Sequence, residues 1–186
     1  MTAPDENFRS YADQSGILVA DQVFDPRAAG EDPAHIDDVL KLSHVTNARF
    51  LRCEVRAGGL QRENALDLNR ECADVLIEGF TLESGRQNAL TIKGGCTAIT
   101  IKDTVIIPGQ GHCDIELGNW SDQSTAKTTR VSLINVTRSD GKPVRLRVGR
   151  ADDPIVLGGN VRKDALGSLL ITAAWWAKYF FTRIKP

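Results

Sequence analysis

The stretch Asn88–Gly109, NALTIKGGCTAITIKDTVIIPG, falls on Asn64–Gly85, NALDLNRECADVLIEGFTLESG, when slid back 24 residues. Asn-Ala-Leu, a cysteine and the closing glycine stay in register. Self-similarity at a period of about 20–50 residues is the signature of a solenoid, in which one supersecondary unit buries its apolar face only by stacking on its neighbours. Each copy reads as a short alternating strand, a bend, a second strand, a corner, a third strand and a glycine stop. Going backward, Val55 and Gly58 line up with Leu82 and Gly85. Going forward, Arg138 and Gly141 line up with Ile106 and Gly109. The closing glycines 58, 85, 109 and 141 are then 27, 24 and 32 residues apart.

Four apolar columns follow from this alignment: Ala48/Val75/Ile99/Val131, Phe50/Ile77/Ile101/Leu133, Cys53/Phe80/Thr104/Val136 and Leu42/Leu68/Ile92/Leu117. Their neighbours are polar, as alternation with period 2 requires of a strand with one face in the core. Lys41, Asp67, Thr91, Glu116 and Arg145 make the outward column beside the last of these, expected to be a solvated ladder. Strands of three to five residues turned by Gly, Asn or Asp predict a parallel β-helix, with equivalent residues stacked about 4.8 Å apart. Glycine is expected at the corners because it accepts left-handed backbone angles freely. A β-sandwich is the rival, but hairpins demand two-residue turns and give no columns at this period.

Over residues 39–160, about five coils, the repeat resembles the right-handed parallel β-helix (pectate-lyase-like) superfamily, most closely the β-helix modules of bacteriophage virion proteins. That resemblance rests on the coil pattern rather than on a catalytic signature. It implies an all-β, single-stranded right-handed parallel β-helix, and the superfamily includes pectate lyases and polygalacturonases as well as virion proteins. Fold alone does not choose among such functions.

The ends of the chain differ from its middle. Residues 1–38 carry nine acids and two bases, residues 39–141 twelve of each, and residues 142–186 nine bases and three acids. A chain of 186 residues with formal net charge −1 therefore has an acidic and a basic end. Opposite ends suit docking between copies or onto an assembly surface. Residues 1–38 read as an acidic N-terminal arm with a partial first coil from Gly16–Val19 and Val23-Phe24. Residues 39–160 are the β-helix. Residues 161–186 read as an apolar helical tail, with Asp164 as N-cap and Leu166, Leu169, Leu170, Ala173, Ala177 and Phe180 at helical spacing. Ile171, Trp175 and Tyr179 add a second apolar stripe, so burial on nearly all faces is expected. Ala165–Thr182 is 18 residues long and contains Lys178. A charge within so short a stretch disfavours a membrane span, and protein–protein burial is the expectation.

The chemistry expected of an enzyme on this fold is mostly missing. Polygalacturonase-like hydrolases carry paired aspartates, Gly-His-Gly and Arg-Ile-Lys at ordered positions. Here Arg183-Ile184-Lys185 sits in the tail, Asp37-Asp38 and Asp152-Asp153 flank the coils, and Gly111-His112-Cys113 lacks the last glycine. The best local imitation of an acidic groove is Asp67, Thr91 and Glu116 with Lys93 and Arg145. Two coils separate Asp67 from Glu116, about 9.6 Å at the usual strand spacing, near the upper limit for an inverting glycosidase. Cys53, Cys72, Cys96 and Cys113 show no Cys-x-x-Cys, and His35, His44 and His112 are scattered, so neither a metal nor a cofactor is expected. Cys72 and Cys96 occupy equivalent positions in adjacent coils, where a disulfide is geometrically conceivable, but buried thiols are the expectation in the absence of a secretion signal. Nothing resembles a nucleic-acid module.

The 118–127 insertion, GNWSDQSTAK, presents Trp120 to a sugar, to a neighbouring protein or to a gap in its own coil. The function expected is that of a non-enzymatic structural protein of a larger assembly. By resemblance this is a bacteriophage virion component (capsid decoration, tail or spike), assembled in the host cytoplasm. Its partners would be copies of itself, a homotrimer included, and other assembly or capsid proteins. Trp175, Trp176, Tyr179, Phe180, Phe181 and Trp120 are the expected partner-binding residues. The alternative is a protein that binds or cleaves a polysaccharide through Trp120 and the Asp67/Glu116 face.

Overall fold

The computed structural model of the chain describes residues 7–32, 35–57, 64–111, 113–118, 126–170 and 172–173. Alternating segments and tight corners wind the chain into a parallel β-solenoid of about five turns. The first turn is β1 (Arg9–Ala12), β2 (Leu18–Ala20) and β3 (Val23–Phe24), and the second β4 (Leu40–Ser43), β5 (Thr46–Leu51) and β6 (Glu54–Val55). The third is β7 (Asn64–Asn69), β8 (Ala73–Glu78) and β9 (Thr81–Glu83), and the fourth β10 (Asn88–Ile92), β11 (Thr97–Lys102) and β12 (Val105–Ile107). The fifth is β13 (Ile115–Leu117), β14 (Thr129–Ile134) and β15 (Thr137–Arg138). Then β16 (Val144–Val148), β17 (Ile155–Leu157) and β18 (Val161–Lys163) close the stack. A short helix, α1, covers 165–170 and 172–173.

Equivalent strands of successive turns pair in parallel and build three sheets. Sheet A runs β1-β4-β7-β10-β13-β16-β18, sheet B β2-β5-β8-β11-β14-β17, and sheet C β3-β6-β9-β12-β15. The register agrees with the alignment of the repeats. Ala48, Val75, Ile99 and Val131 are Cα partners in turn, as are Phe50, Ile77, Ile101 and Leu133. Leu42, Leu68, Ile92 and Leu117 form the matching column of sheet A. All twelve lie in the core. Each large side chain fully buried there is worth roughly 1.5–3 kcal/mol, and the stack repeats that gain on every rung.

Residues 9–24, part of what is read above as an acidic arm with a partial coil, instead carry the three strands of a complete turn. Arg9–Ala12 pairs with Leu40–Ser43, Leu18–Ala20 with Arg49–Leu51 and Val23-Phe24 with Glu54-Val55.

The corners are left-handed, but glycine is not their main occupant. Asp21, Arg52, Gly79, Asp103, Asn135 and Gly158 occupy one corner on successive turns, with φ between 48° and 70°. Asp and Asn accept this region because their short polar side chains bond locally. Arg52 there is held by a two-pronged bond to Asp21 one turn below, at 2.7 Å for each prong. Two of the aligned closing glycines serve another purpose. Gly85 and Gly109 do not have positive φ, and a Cβ on Gly109 would lie 2.9 Å from the Gly85 carbonyl oxygen. They are small because adjacent turns touch there.

Candidate functional site

The central strands of sheet A are buried on both faces. Every residue of β7 and of β10 is buried, although Asp67, Thr91 and Glu116 point away from the core. The expectation of a solvated outward ladder is therefore wrong. These side chains meet neighbouring polar groups: Asn69 and Lys93 at Asp67, Asn64 and Asn88 at Thr91, and Cys113 at Glu116. Lys41, Asp67, Thr91, Glu116 and Arg147 are the register partners. Arg145 stands two residues off this column and belongs to Asp114, which it contacts at 3.1 Å through Nη2.

A second polar column lies beside the first because the strands open on a bulge. In β10 the amides of Ala89 and Leu90 both donate to the Asp114 carbonyl. Ala89 and Leu90 both enter the core, as do Ala65 and Leu66 one turn earlier. Asn64 and Asn88 thereby join the outward side. Asn64 Nδ2 donates to Asp38 Oδ1 at 2.9 Å, Thr91 Oγ1 donates to Asn64 Oδ1 at 2.9 Å, and Asn88 Nδ2 donates to Thr91 Oγ1 at 3.2 Å. The Cys113 thiol donates to Asn88 Oδ1 at 3.0 Å. A hydrogen-bonded chain thus crosses four turns. In a third column, Ser43 Oγ donates to Asn69 Oδ1 at 2.9 Å.

Charge within this lattice is set by burial. Asp67 is 0% exposed; its Oδ2 accepts from Asn69 Nδ2 at 2.8 Å, and its Oδ1 faces Lys93 Nζ at 3.4 Å. Apart from Lys93, Oδ1 has no donor among the described residues. Burial, then the nearby Asp38 charge, push the Asp67 carboxyl up to about 7 against the pull of Lys93 and Lys41. Asp38 is also raised by burial, opposed by Lys41, whose Nζ lies 3.7 Å from Asp38 Oδ2. Burial and then the Glu116 charge raise the Cys113 thiol. Cys53, Cys72, Cys96 and Cys113 are all free and buried. Cys96 is raised by its hydrogen bond to Cys72 and by burial. Among the described residues, no His, Cys, Asp or Glu groups gather to hold a metal ion.

Two features stand open to solvent. On sheet B a groove of about 430 Å³ runs across successive turns, lined by Arg49, Asp74, Thr100, Arg130 and Ser132 among others. At the C-terminal end Arg145, Arg162, Lys163, Asp164 and Ala165 line a hollow of about 420 Å³. There Asp164 caps α1 by accepting from the Gly167 amide at 2.9 Å, as its position in the sequence suggests, and meets Arg147 at 3.0 Å. The capping bond and then Arg147 hold its carboxyl below the usual range. Ser168 Oγ accepts from the Val148 amide at 2.9 Å and ties the helix to the end of sheet A.

The apolar helix expected at this end differs where it is described. Leu166, Leu169 and Leu170 are 68%, 65% and 60% exposed, because small Gly167 and Ser168 form the side that meets the solenoid. No helix among the described residues is long and apolar enough to cross a membrane. Trp120, Trp175, Trp176, Tyr179, Phe180 and Phe181, the partner-binding residues expected from the sequence, lie outside the described residues. Sequence reasoning overlooked Asp38, Asn64 and Asn88 as members of the polar lattice; the signal was the Asn-Ala-Leu repeat, which places an amide at the same point of two turns.

No family model matches the chain, and no curated protein or solved structure does either.

Proposed function

We propose that this protein is a non-enzymatic structural module, a rigid solenoid built into a larger assembly. The observation that carries the reading is α1. Three leucines stand at 60–68% exposure on one short helix that meets the body through Ser168 and its capping Asp164. An apolar group of this kind fits a partner protein better than water. The burial of Asp67 and Glu116 supports the same reading, because a polymer substrate has no access to carboxylates enclosed in the sheet. By the resemblance of its coil repeat, the setting is a bacteriophage virion, with this chain as a decoration, tail or spike component. Trp175, Trp176, Tyr179, Phe180 and Phe181 extend the same anchor along the chain.

One observation favours a second reading. The sheet B groove offers Arg49, Asp74, Thr100, Arg130 and Ser132 in an open row, and such donors and acceptors suit the hydroxyls of a glycan. The test is fractionation of particles from the cells that produce the protein. A fixed number of copies in a sedimenting particle is the expected result. Recovery only as a free chain that binds or cleaves an acidic glycan contradicts the structural reading.

A further inference from the structure

We propose that the two ends of sheet B are the two halves of one interface, through which copies of this chain add head to tail. Resting on the structural reading above, this names a partner, a second copy, and the strands that meet it. Sheet B ends in β2 at one side and β17 at the other. Each pairs with a single described neighbour, so each leaves a row of backbone donors and acceptors open, a template for another strand.

The sequences at these edges are the reverse of a protected edge. Natural edge strands carry Lys, Pro or inward charges against unwanted pairing. Here the edges read Leu18-Val19-Ala20 and Ile155-Val156-Leu157, three residues each with no charge and no proline. Register fixes which side chains face outward. Leu18 partners Arg49, and Ile155 partners Ser132. The interior turns place Arg49, Leu76, Thr100 and Ser132 at this outward position, three of the four polar, whereas the two end turns place leucine and isoleucine. Leu18, Ile155 and Leu157 are 66%, 59% and 55% exposed. Val156, which continues the Phe50/Ile77/Ile101/Leu133 core column, is also exposed. It lacks the next rung. In a second copy, Val19 supplies that rung, since it begins the same column.

Charge selects head to tail over back to back. Residues 1–38 carry a net charge of −7 and residues 142–186 one of +6. At the first end Asp13 is exposed beside His44 and Asp21 is exposed and bonded to Arg52; at the second Arg162 is exposed, Lys163 pairs with Asp153 and Lys127 with Asp152. Two C-terminal ends facing each other would bring like charge together, and unlike ends attract. Because α1 is tied to sheet A beside Val148, the added strand runs along sheet B, whose end is open among the described residues. A heterologous contact that continues the strand stack from one copy to the next gives a filament.

The experiment uses the full chain and two sets of outward lysine substitutions, Leu18→Lys at one end and Ile155→Lys with Leu157→Lys at the other. Circular dichroism establishes that each variant is folded. The mass of the unaltered chain in analytical ultracentrifugation is expected to rise continuously with concentration. Each variant alone is expected to remain a monomer, and a 1:1 mixture is expected to give a dimer and nothing larger, since only one native end remains on each partner. A Leu18→Lys variant that still dimerises with itself overturns the proposal in favour of back-to-back pairing. An unaltered chain that stays monomeric at every concentration also overturns it, its ends being covered within one chain or by a different protein. If that monomer is still recovered at fixed copy number in particles, the structural reading stands without this interface.

Discussion

Asp67 and Lys93 face each other at 3.4 Å on adjacent turns of sheet A, the carboxylate fully buried and the lysine side chain 13% exposed. The asymmetry matters. Lys93 keeps some contact with water, whereas Asp67 must either hold an uncompensated share of charge in the sheet or take a proton. Burial raises its folded pKa to about 7, above the unfolded value of about 3.9.

Stability should therefore depend on pH through this residue. A carboxyl with a raised folded pKa contributes stability that is present below about pH 4 and lost as pH rises toward 7. Asp38, also raised, acts in the same direction. Asp67→Asn, which keeps an acceptor for Asn69, is expected to stabilise the protein at pH 8 by roughly 1–4 kcal/mol. It should also flatten the decline in stability between pH 4 and 7. Denaturant midpoints measured across that range for both proteins test this. An unchanged slope in the variant would mean that Asp67 is not the group responsible.

The core column gives a sharper contrast. Ile101 is fully buried, and Thr100 beside it faces the sheet B groove. Ile101→Asp is expected to unfold the domain, because it strands a charge between apolar rungs at a cost above about 4 kcal/mol. Thr100→Asp should shift the melting temperature by only a few degrees. Equal loss of structure by circular dichroism in both variants would contradict the assigned faces.

Glycines should separate into two groups. A Cβ on Gly111 would fall 1.5 Å from the Gln87 carbonyl oxygen, whereas one on Gly141 meets nothing within 4 Å. Gly111→Ala is expected to cost more than about 2 kcal/mol through backbone displacement. Gly141→Ala bears only the strain of its left-handed angle, about 1 kcal/mol. Chemical denaturation of the two variants measures the difference.

These particulars show what the sequence made legible. Because a parallel stack places equivalent residues over one another, the repeat alone located the apolar columns and their register, including Val55 over Leu82 and Ile106 over Arg138. Alternation tells which side of a strand a residue takes, but not whether that side is covered. Asp67, Thr91 and Glu116 were therefore assigned to the correct face and the wrong environment. The bulge at Asn88–Leu90 breaks strict alternation, so the Asn64–Asn88 ladder was hidden within a motif already in view. The sixth strand of sheet A, β16, follows a turn without the repeat's Asn-Ala-Leu, and its column partner was misplaced from Arg147 to Arg145. In the first turn the strands near Gly16–Val19 and Val23-Phe24 were read as a partial coil, and Arg9–Ala12, whose polar sequence lacks apolar alternation, was read as arm.

At the carboxylates of the sheet A lattice, structural and catalytic readings make opposite demands. Asp67→Asn combined with Glu116→Gln preserves shape while removing both carboxylates. The decisive measurement compares the unaltered and doubly substituted proteins, each for copy number in sedimenting particles and for depolymerisation of an acidic glycan. The expected result is equal copy number and no depolymerisation by either protein. Glycan cleavage by the unaltered protein, lost in the double variant, would contradict the structural role.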